Sequence, residues 1–210
     1  MTQQVLTLSE IYGILGKELK TNTVILGIDQ AQNNTGLCLL RTTEDKLYVE
    51  DFWSIEMKGK GKGNLHKMLL HYKELCRNVR KDLPDVEDLY KRLVIIEDCY
   101  LGLSVWTTKV LSKYATVSYF VFRKWADNIP DPIQPLSVRK KVGFSQDCGK
   151  YHYEMVKNRN GELKRKKIWD RKPLDLKEQI INFIENKFSL TVEDADLADA
   201  FMLALSGLVK

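Results

Sequence analysis

The sequence predicts an α/β fold: five strand-like segments flanked by helices, interrupted by a basic hairpin insertion. Three observations lead there. Residues 23–29 are almost wholly apolar, the character of a strand covered on both faces. Strand-like runs of this kind are separated by segments of helical period. Residues 150–172 hold nine lysines and arginines against three acids, a net +6 that leaves the rest of the chain at −1 within a total of +5.

The elements follow in order. Residues 7–20 read as an amphipathic helix, with Thr7 and Glu10 at capping-box spacing and Ile11, Ile14, Leu15 and Leu19 in one stripe. Strand-like runs occupy 23–29, 35–41 and 46–55, the last two joined as a meander by a polar turn at 42–45. Residues 57–64 are rich in lysine and glycine, which suits a basic loop better than helix or strand. Residues 65–80 return to helical spacing, 92–98 to a buried strand and 104–126 to a long helix. Residues 133–136, broken by Pro135, admit only a short edge strand. Asn160-Gly161 is a hairpin signal. A two-residue turn there opposes Arg159 to Glu162, Glu154 to Lys167 and Tyr153 to Ile168. It also sets Lys157 against Lys164, which is unfavourable unless an anion lies between them. Residues 174–187 and 194–208 complete the chain as helices.

A length of 210 residues suits one domain, 1–210, with a helical extension at 1–22 and the basic insertion at 145–173. About 70% of the unfolded surface of such a chain can be buried, so no disulfide or zinc staple is required. Cys38, Cys76, Cys99 and Cys148 are widely spaced and form no C-x-x-C pair, which argues against a zinc ribbon and for reduced thiols. No apolar run approaches the roughly 18 residues of a membrane span, and no basic segment followed by an apolar core opens the chain. A cytoplasmic location is expected. A concentrated basic segment on a near-neutral body points to a polyanion partner, against the alternative of a solvated basic loop.

Four carboxylates stand where chemistry collects. Asp29 closes the run Val24-Ile25-Leu26-Gly27-Ile28, and Glu97 closes Leu93-Val94-Ile95-Ile96. A charge ending an apolar strand lies at the sheet edge where α/β active sites gather. Asp196 and Asp199, three residues apart, share a helix face. The small apolar turns beyond them suggest that the opposite side of that helix packs on the sheet. If the two strands are neighbours and the last helix crosses them, the four acids form one cluster. Clustered carboxylates repel and would partly protonate unless a divalent cation intervenes. Oxygen-only donors select Mg²⁺ or Mn²⁺, and two such ions can drive phosphodiester hydrolysis. Taken singly, each acid reads more readily as a turn residue or helix cap, and only the ordered set favours a metal site; Asp194 fits an N-cap and is left outside the site.

Taken together, Gly27-Ile28-Asp29 with Thr35-Gly36, Ile96-Glu97-Asp98-Cys99-Tyr100, Pro135 to Gly143 and Asp196-Leu197-Ala198-Asp199-Ala200 resemble the RuvC-type Holliday junction resolvases of the ribonuclease H-like superfamily. The resemblance spans residues 24–206. It implies a five-stranded mixed sheet whose first three strands are antiparallel, with Asp29, Glu97, Asp196 and Asp199 as catalytic Mg²⁺ ligands. It also implies a homodimer that cuts two opposed strands of a four-way DNA junction. Tyr100 matches the family's junction-wedging aromatic, and a basic residue among Arg139, Lys140 and Lys141 is expected to approach the scissile phosphate. Gln30-Ala31 stands where the family usually has Pro-Gly. The insertion lies outside the resemblance; its Lys164, Arg165, Lys166 and Lys167 are expected to contact DNA on charge grounds.

Other readings stay open. A ribonuclease H proper carries its Glu on the first helix, where this chain offers Glu74, which in that reading would pair with Asp98 on the strand. Transposase- or exonuclease-like chemistry on the same fold is a further option. A non-catalytic branched-DNA-binding protein is the alternative from another class, though such proteins normally lose ligands. An actin- or hexokinase-like ATPase also starts from an Asp-ended strand, but no second phosphate loop is visible.

Overall fold

The computed structural model describes residues 4–30, 34–56, 70, 74, 90–98, 105–157 and 162–210. Its main sheet contains β1 (Gln4–Thr7), β2 (Thr23–Gln30), β3 (Asn34–Thr42), β4 (Lys46–Glu56) and β5 (Lys91–Ile96), in the order β1-β4-β3-β2-β5. All neighbours are antiparallel except β2 and β5, which run parallel. The sheet is therefore five-stranded and mixed, but its fifth strand is not the expected one. Residues 133–136 form no strand: Ile133 makes one isolated parallel bridge to Glu97. Pro132 and Pro135 have no N–H to continue a ladder, and Pro135 instead opens helix α3 (Pro135–Lys141). The fifth strand is β1, which pairs along β4 at the other edge.

Helix α1 (Leu8–Leu15) has the expected capping box, with Glu10 N–H donating to Thr7 and the Glu10 carboxylate accepting from the Thr7 N–H. It stops short of residue 20 because Gly16 takes the left-handed conformation (φ 62°). Helices α2 (Val105–Phe122), α4 (Leu176–Phe188) and α5 (Ala195–Leu208) match the expected helices with small shifts of their ends. Asp175 caps α4, and Asp194 caps α5 by accepting from the Leu197 N–H at 2.9 Å. Of the residues expected in the Gly/Lys loop and the helix at 65–80, only Leu70 and Glu74 are described, and both are helical; the remainder, with Cys99 and Tyr100, lie outside the described residues. The described cysteines, Cys38 and Cys148, are unpaired. Among the described residues no helix is long and apolar enough to cross a membrane.

Strand alternation divides the core in two. Val24, Leu26, Ile28, Leu37, Leu39, Val94 and Ile96 point to the α2 side with Tyr114, Phe122 and Trp125. Ile25, Cys38, Leu40 and Ile95 point to the other side, where α5 lies with α4 beyond it. Helix α5 is buried almost all round, as a helix held between a sheet and other helices must be.

The hairpin is present as a separate two-stranded sheet, β6 (Lys150–Lys157) and β7 (Leu163–Arg171). Its register differs from the expected one by a residue. Glu154 faces Lys166, Tyr153 faces Lys167 and Lys157 faces Leu163. The expected opposition of Lys157 and Lys164 therefore does not occur: Lys164 faces Val156. Strand β6 ends at Lys157 and β7 begins at Leu163; the expected Asn160-Gly161 turn, and Arg159 of the expected Arg159–Glu162 pair, fall within 158–161 and lie outside the described residues.

Candidate active site

Alternation fixes where the strand-end carboxylates point. Asp29 shares the parity of Ile25 and Gly27, and Glu97 that of Ile95, so both lie on the α5 side of the sheet. The parallel pairing of β2 with β5 brings them together at the C-terminal ends of the two strands: the Glu97 N–H donates to the Ile28 carbonyl at 3.0 Å.

Glycine lets α5 come down on them. Asp29 pairs across the ladder with Gly36, where an added Cβ would lie 2.1 Å from the Asp196 carbonyl oxygen. At Gly27 it would lie 2.3 Å from the Ala200 carbonyl. Asp196, Ala200 and Ala204 thus form the stripe of α5 laid against β2 and β3. This corrects the expectation that the acids and the sheet contact occupy opposite sides of the helix: they share a side, because glycine at 27 and 36 removes the atoms that would hold the helix off.

All four predicted carboxylates converge. Asp29 is 6% exposed. Burial, then a hydrogen bond with Glu97, then the charges of Glu97 and Asp196, push its carboxyl well above the ordinary range. Burial raises Glu97 too, with Asp199 and Asp196 repelling it. Asp199 is pushed up to about 7, first by burial and then by Asp29. Burial thus opposes ionisation of both members of the Asp29–Glu97 pair.

Cations from neighbouring helices approach the other two acids. Lys177, in the first turn of α4, places Nζ 3.0 Å from Asp196 Oδ1, while Asn34 Nδ2 donates to Asp196 Oδ2 at 2.8 Å. Ser54 donates to Asn34 Oδ1 at 2.8 Å, which fixes the amide's orientation. Arg139 of α3 lies 3.9 Å from Asp199, and its Nε is buried without a hydrogen-bond partner. Of the three basic candidates on α3, Arg139 alone is placed at the carboxylates. Lys140 is exposed. Lys141 is half-buried near Lys17 and Lys20, and burial followed by their charge lowers its pKa.

Among the described residues no three carboxylate, imidazole or thiol groups are set to close on one ion. The reason lies in the pairings just described, which draw Asp29 and Glu97 to each other and Asp196 toward Lys177. The donor set nonetheless fits a hard divalent cation: all-oxygen, acidic, and crowded so that Asp29, Glu97 and Asp199 are each held against ionisation. Lys177, Asn34 and Ser54 were not anticipated from sequence. Nothing local marks them, since each reaches the site by tertiary packing.

At the level of sequence, no family model and no curated protein matches. The architecture does match: a mixed α/β sheet with its longest buried strands antiparallel and a parallel partner at one side, the ribonuclease H-like arrangement. More narrowly, the fold is that of the RuvC-type resolvases. Thermus thermophilus RuvC in complex with a Holliday junction substrate superposes with a TM-score of 0.56 at 12% identity, over 90% of this chain and 98% of that chain. A second structure of Thermus thermophilus RuvC gives 0.56 and 12%, over 90% and 99%. The yeast mitochondrial Holliday junction resolvase Ydc2 gives 0.49 and 11%, over 94% and 82%.

Proposed function

We propose that this chain is a divalent-metal-dependent endonuclease that resolves four-way and related branched DNA junctions by phosphodiester hydrolysis, acting as a homodimer. The observation that carries the reading is the convergence of Asp29, Glu97, Asp196 and Asp199 on one side of one sheet end, in a fold it shares with junction resolvases. A homodimer suits the near two-fold symmetry of a junction, because an isologous pair presents two matching sites.

The four carboxylates are the ligands in this reading. Mg²⁺, or Mn²⁺ in its place, bound as a pair of ions, supplies a lowered water pKa and stabilisation of the leaving oxygen. Arg139, with an unpartnered buried Nε beside Asp199, receives a phosphate oxygen. Lys177 neutralises Asp196 and, with a largely exposed side chain, can turn to the phosphate when substrate arrives. Asn34 holds Asp196 in place throughout. Tyr100, outside the described residues, retains the proposed role of a wedge at the junction.

The ribonuclease H alternative is disfavoured by position. Glu74 is exposed, and Asp98 has the strand parity opposite to Glu97 and Asp29. The test is cleavage by the full chain with Mg²⁺ on labelled four-way, flap, linear duplex and RNA–DNA hybrid substrates. Paired incisions in the four-way junction are expected, with none in EDTA. Cleavage of the hybrid alone, or undiminished cleavage in EDTA, overturns the reading. Light scattering at micromolar concentration should give the dimer mass.

A further inference from the structure

The hairpin has two faces of different chemistry, and the observed register separates them. Opposed residues of an antiparallel ladder share a face, and a shift of one residue exchanges every partner. With Tyr151 opposite Trp169, Tyr153 opposite Lys167 and Met155 opposite Arg165, one face collects three aromatic rings, a methionine and two cations. Lys157 adds a third cation on the same face. The strand carboxylates go elsewhere. Glu154 has the other parity, and Asp170 sits at the ladder irregularity between Lys150 and Tyr151. Both accompany His152, at 3.0 Å from Nε2 and 2.8 Å from Nδ1 respectively. Lys164 and Lys166 share that second, acid-bearing face.

On the aromatic face the cations are held by the rings. The Arg165 guanidinium lies 3.8 Å from the Tyr153 ring centre. Lys167 Nζ lies 3.7 Å from that of Tyr151 and 3.9 Å from that of Trp169. The rings brace one another edge-to-face: Tyr151 meets Tyr153 at 84° and Trp169 at 70°. Such a stack offers no run of parallel ring faces to bases, since the rings meet edge-to-face and each already carries a cation over one face. What it offers outward is a row of positioned positive charge. Arg165 and Lys167 are two residues apart on one strand, a rise of ~6.7 Å, which is close to the spacing of successive phosphates along a nucleic-acid strand.

Position supports the same occupant. The hairpin lies in sequence between α3, whose Arg139 faces Asp199, and α4, whose Lys177 faces Asp196. Its base is tied to α4: the Gln179 amide accepts from the Asp147 N–H and donates to the Asp147 carbonyl. Arg171 pairs with the Asp147 carboxylate at the same point. The hairpin is thus rooted on the helix whose first turn carries Lys177 to Asp196.

Resting on the junction-binding reading and refining it, we infer that the Tyr151/Tyr153/Trp169 face is a rail for the phosphates of one strand of a duplex arm. Arg165 and Lys167 contact successive phosphates, and the rings serve as their scaffold. Lys164 and Lys166, on the acid-bearing face, are not part of the rail.

Two double variants of the full chain remove equal charge from opposite faces: R165Q/K167Q and K164Q/K166Q. Each is titrated against a labelled four-way junction, a linear duplex and a single-stranded oligonucleotide at several salt concentrations. For R165Q/K167Q, the slope of log affinity against log salt should fall by ~1.8 on junction and duplex, about 0.9 for each lost phosphate contact. K164Q/K166Q should lower it by less than ~0.5. Y153F should keep the affinity, while Y153L should weaken it several-fold with little change in slope, because the charge remains while its brace is lost. Equal slopes for the two double variants, a larger effect on the acid-bearing face, or absence of DNA binding overturns the rail. So does loss confined to the single strand, which would mean base stacking. Cleavage is scored separately. Binding with the facial asymmetry but no incision would overturn the nuclease reading and leave the rail standing; incision without the asymmetry would do the reverse.

Discussion

Two regions of this molecule place charge in opposite ways. At the sheet end, four carboxylates are pressed together in a largely buried site, and Asp199 is driven up to about 7 by that burial and by Asp29. At the hairpin base, the Asp147 carboxylate is drawn down to about 2 by hydrogen bonds from Arg171 and the Gly149 N–H. One acid is held against its preference and the other is satisfied. An acid whose partners outweigh its burial is structural; an acid whose burial and acidic neighbours outweigh its nearby cations is poised to take another positive charge. The hairpin applies the same contrast with the sign reversed, by gathering cations on a face from which carboxylates are absent.

The comparison breaks most sharply at the site itself. Asp29→Asn, Glu97→Gln, Asp196→Asn and Asp199→Asn each remove a charged oxygen while nearly preserving shape. Each should lower junction cleavage by at least roughly a hundredfold, with junction binding retained in electrophoretic shift assays. Asp194→Asn is the control. It replaces one good N-cap by another, and the structure places it at the α5 terminus rather than in the cluster, so activity should survive. Full activity in any two of the four site variants would return these acids to the same class as Asp147.

A smaller effect tests how the cluster is assembled. Gly36→Ala puts a methyl group 2.1 Å from the Asp196 carbonyl, a backbone atom with no room to yield except by displacing α5. Overpacking of this kind costs roughly 1–3 kcal/mol, and moving the first turn of α5 carries Asp196 and Asp199 with it. Denaturant titration should show the lost stability, and cleavage should fall further than stability alone explains. A variant as stable and as active as the parent would mean that close approach of α5 at this glycine is not what builds the site.

Much of this site was legible in the chain because its determinants are local. The apolar run ending in Asp29 and the one ending in Glu97 each announce a buried strand with a charge at its end, and strand parity then decides the side. The capping position of Asp194 separates it from Asp196 and Asp199 by helix geometry alone. What escaped depends on tertiary pairing. Strand β1 is four residues long and runs directly into a helix cap, so its alternation is too brief to stand out. Residues 133–136 carry strand-like side chains, but their prolines cannot donate to a ladder. The hairpin register is settled by pairing between the strands, and one residue of difference re-sorted both faces. Lys177 reaches Asp196 across 19 residues of chain, with no periodicity to signal it.

The smallest effect lies in the pH dependence of stability, where the two regions should differ in sign. With divalent cations chelated, Asp199 titrates near 7 in the folded chain and near ~3.9 when unfolded. Between those values the folded state binds more protons than the unfolded state, so stability falls as pH rises through that window and levels off above it. Asp29 and Glu97, also raised, act in the same sense. Allowing for partial exposure, the contribution of Asp199 is on the order of 1–2 kcal/mol. Asp147 has the opposite sign: its lowered pKa supplies stability that is present above ~3.9 and is lost as pH falls toward 2. Thermal unfolding in EDTA should therefore show a midpoint that rises as pH drops from 8 to 5.5 and falls again below 4. Asp199→Asn should flatten the upper limb, and Asp147→Asn the lower one. Mg²⁺ should raise the midpoint more at pH 8 than at 5.5, since at the lower pH protons compete for the same oxygens. A midpoint flat from pH 5.5 to 8 in EDTA, unchanged by Asp199→Asn, would mean that the carboxylates are not held in mutual repulsion, and the contrast between the sheet end and the hairpin base would fail.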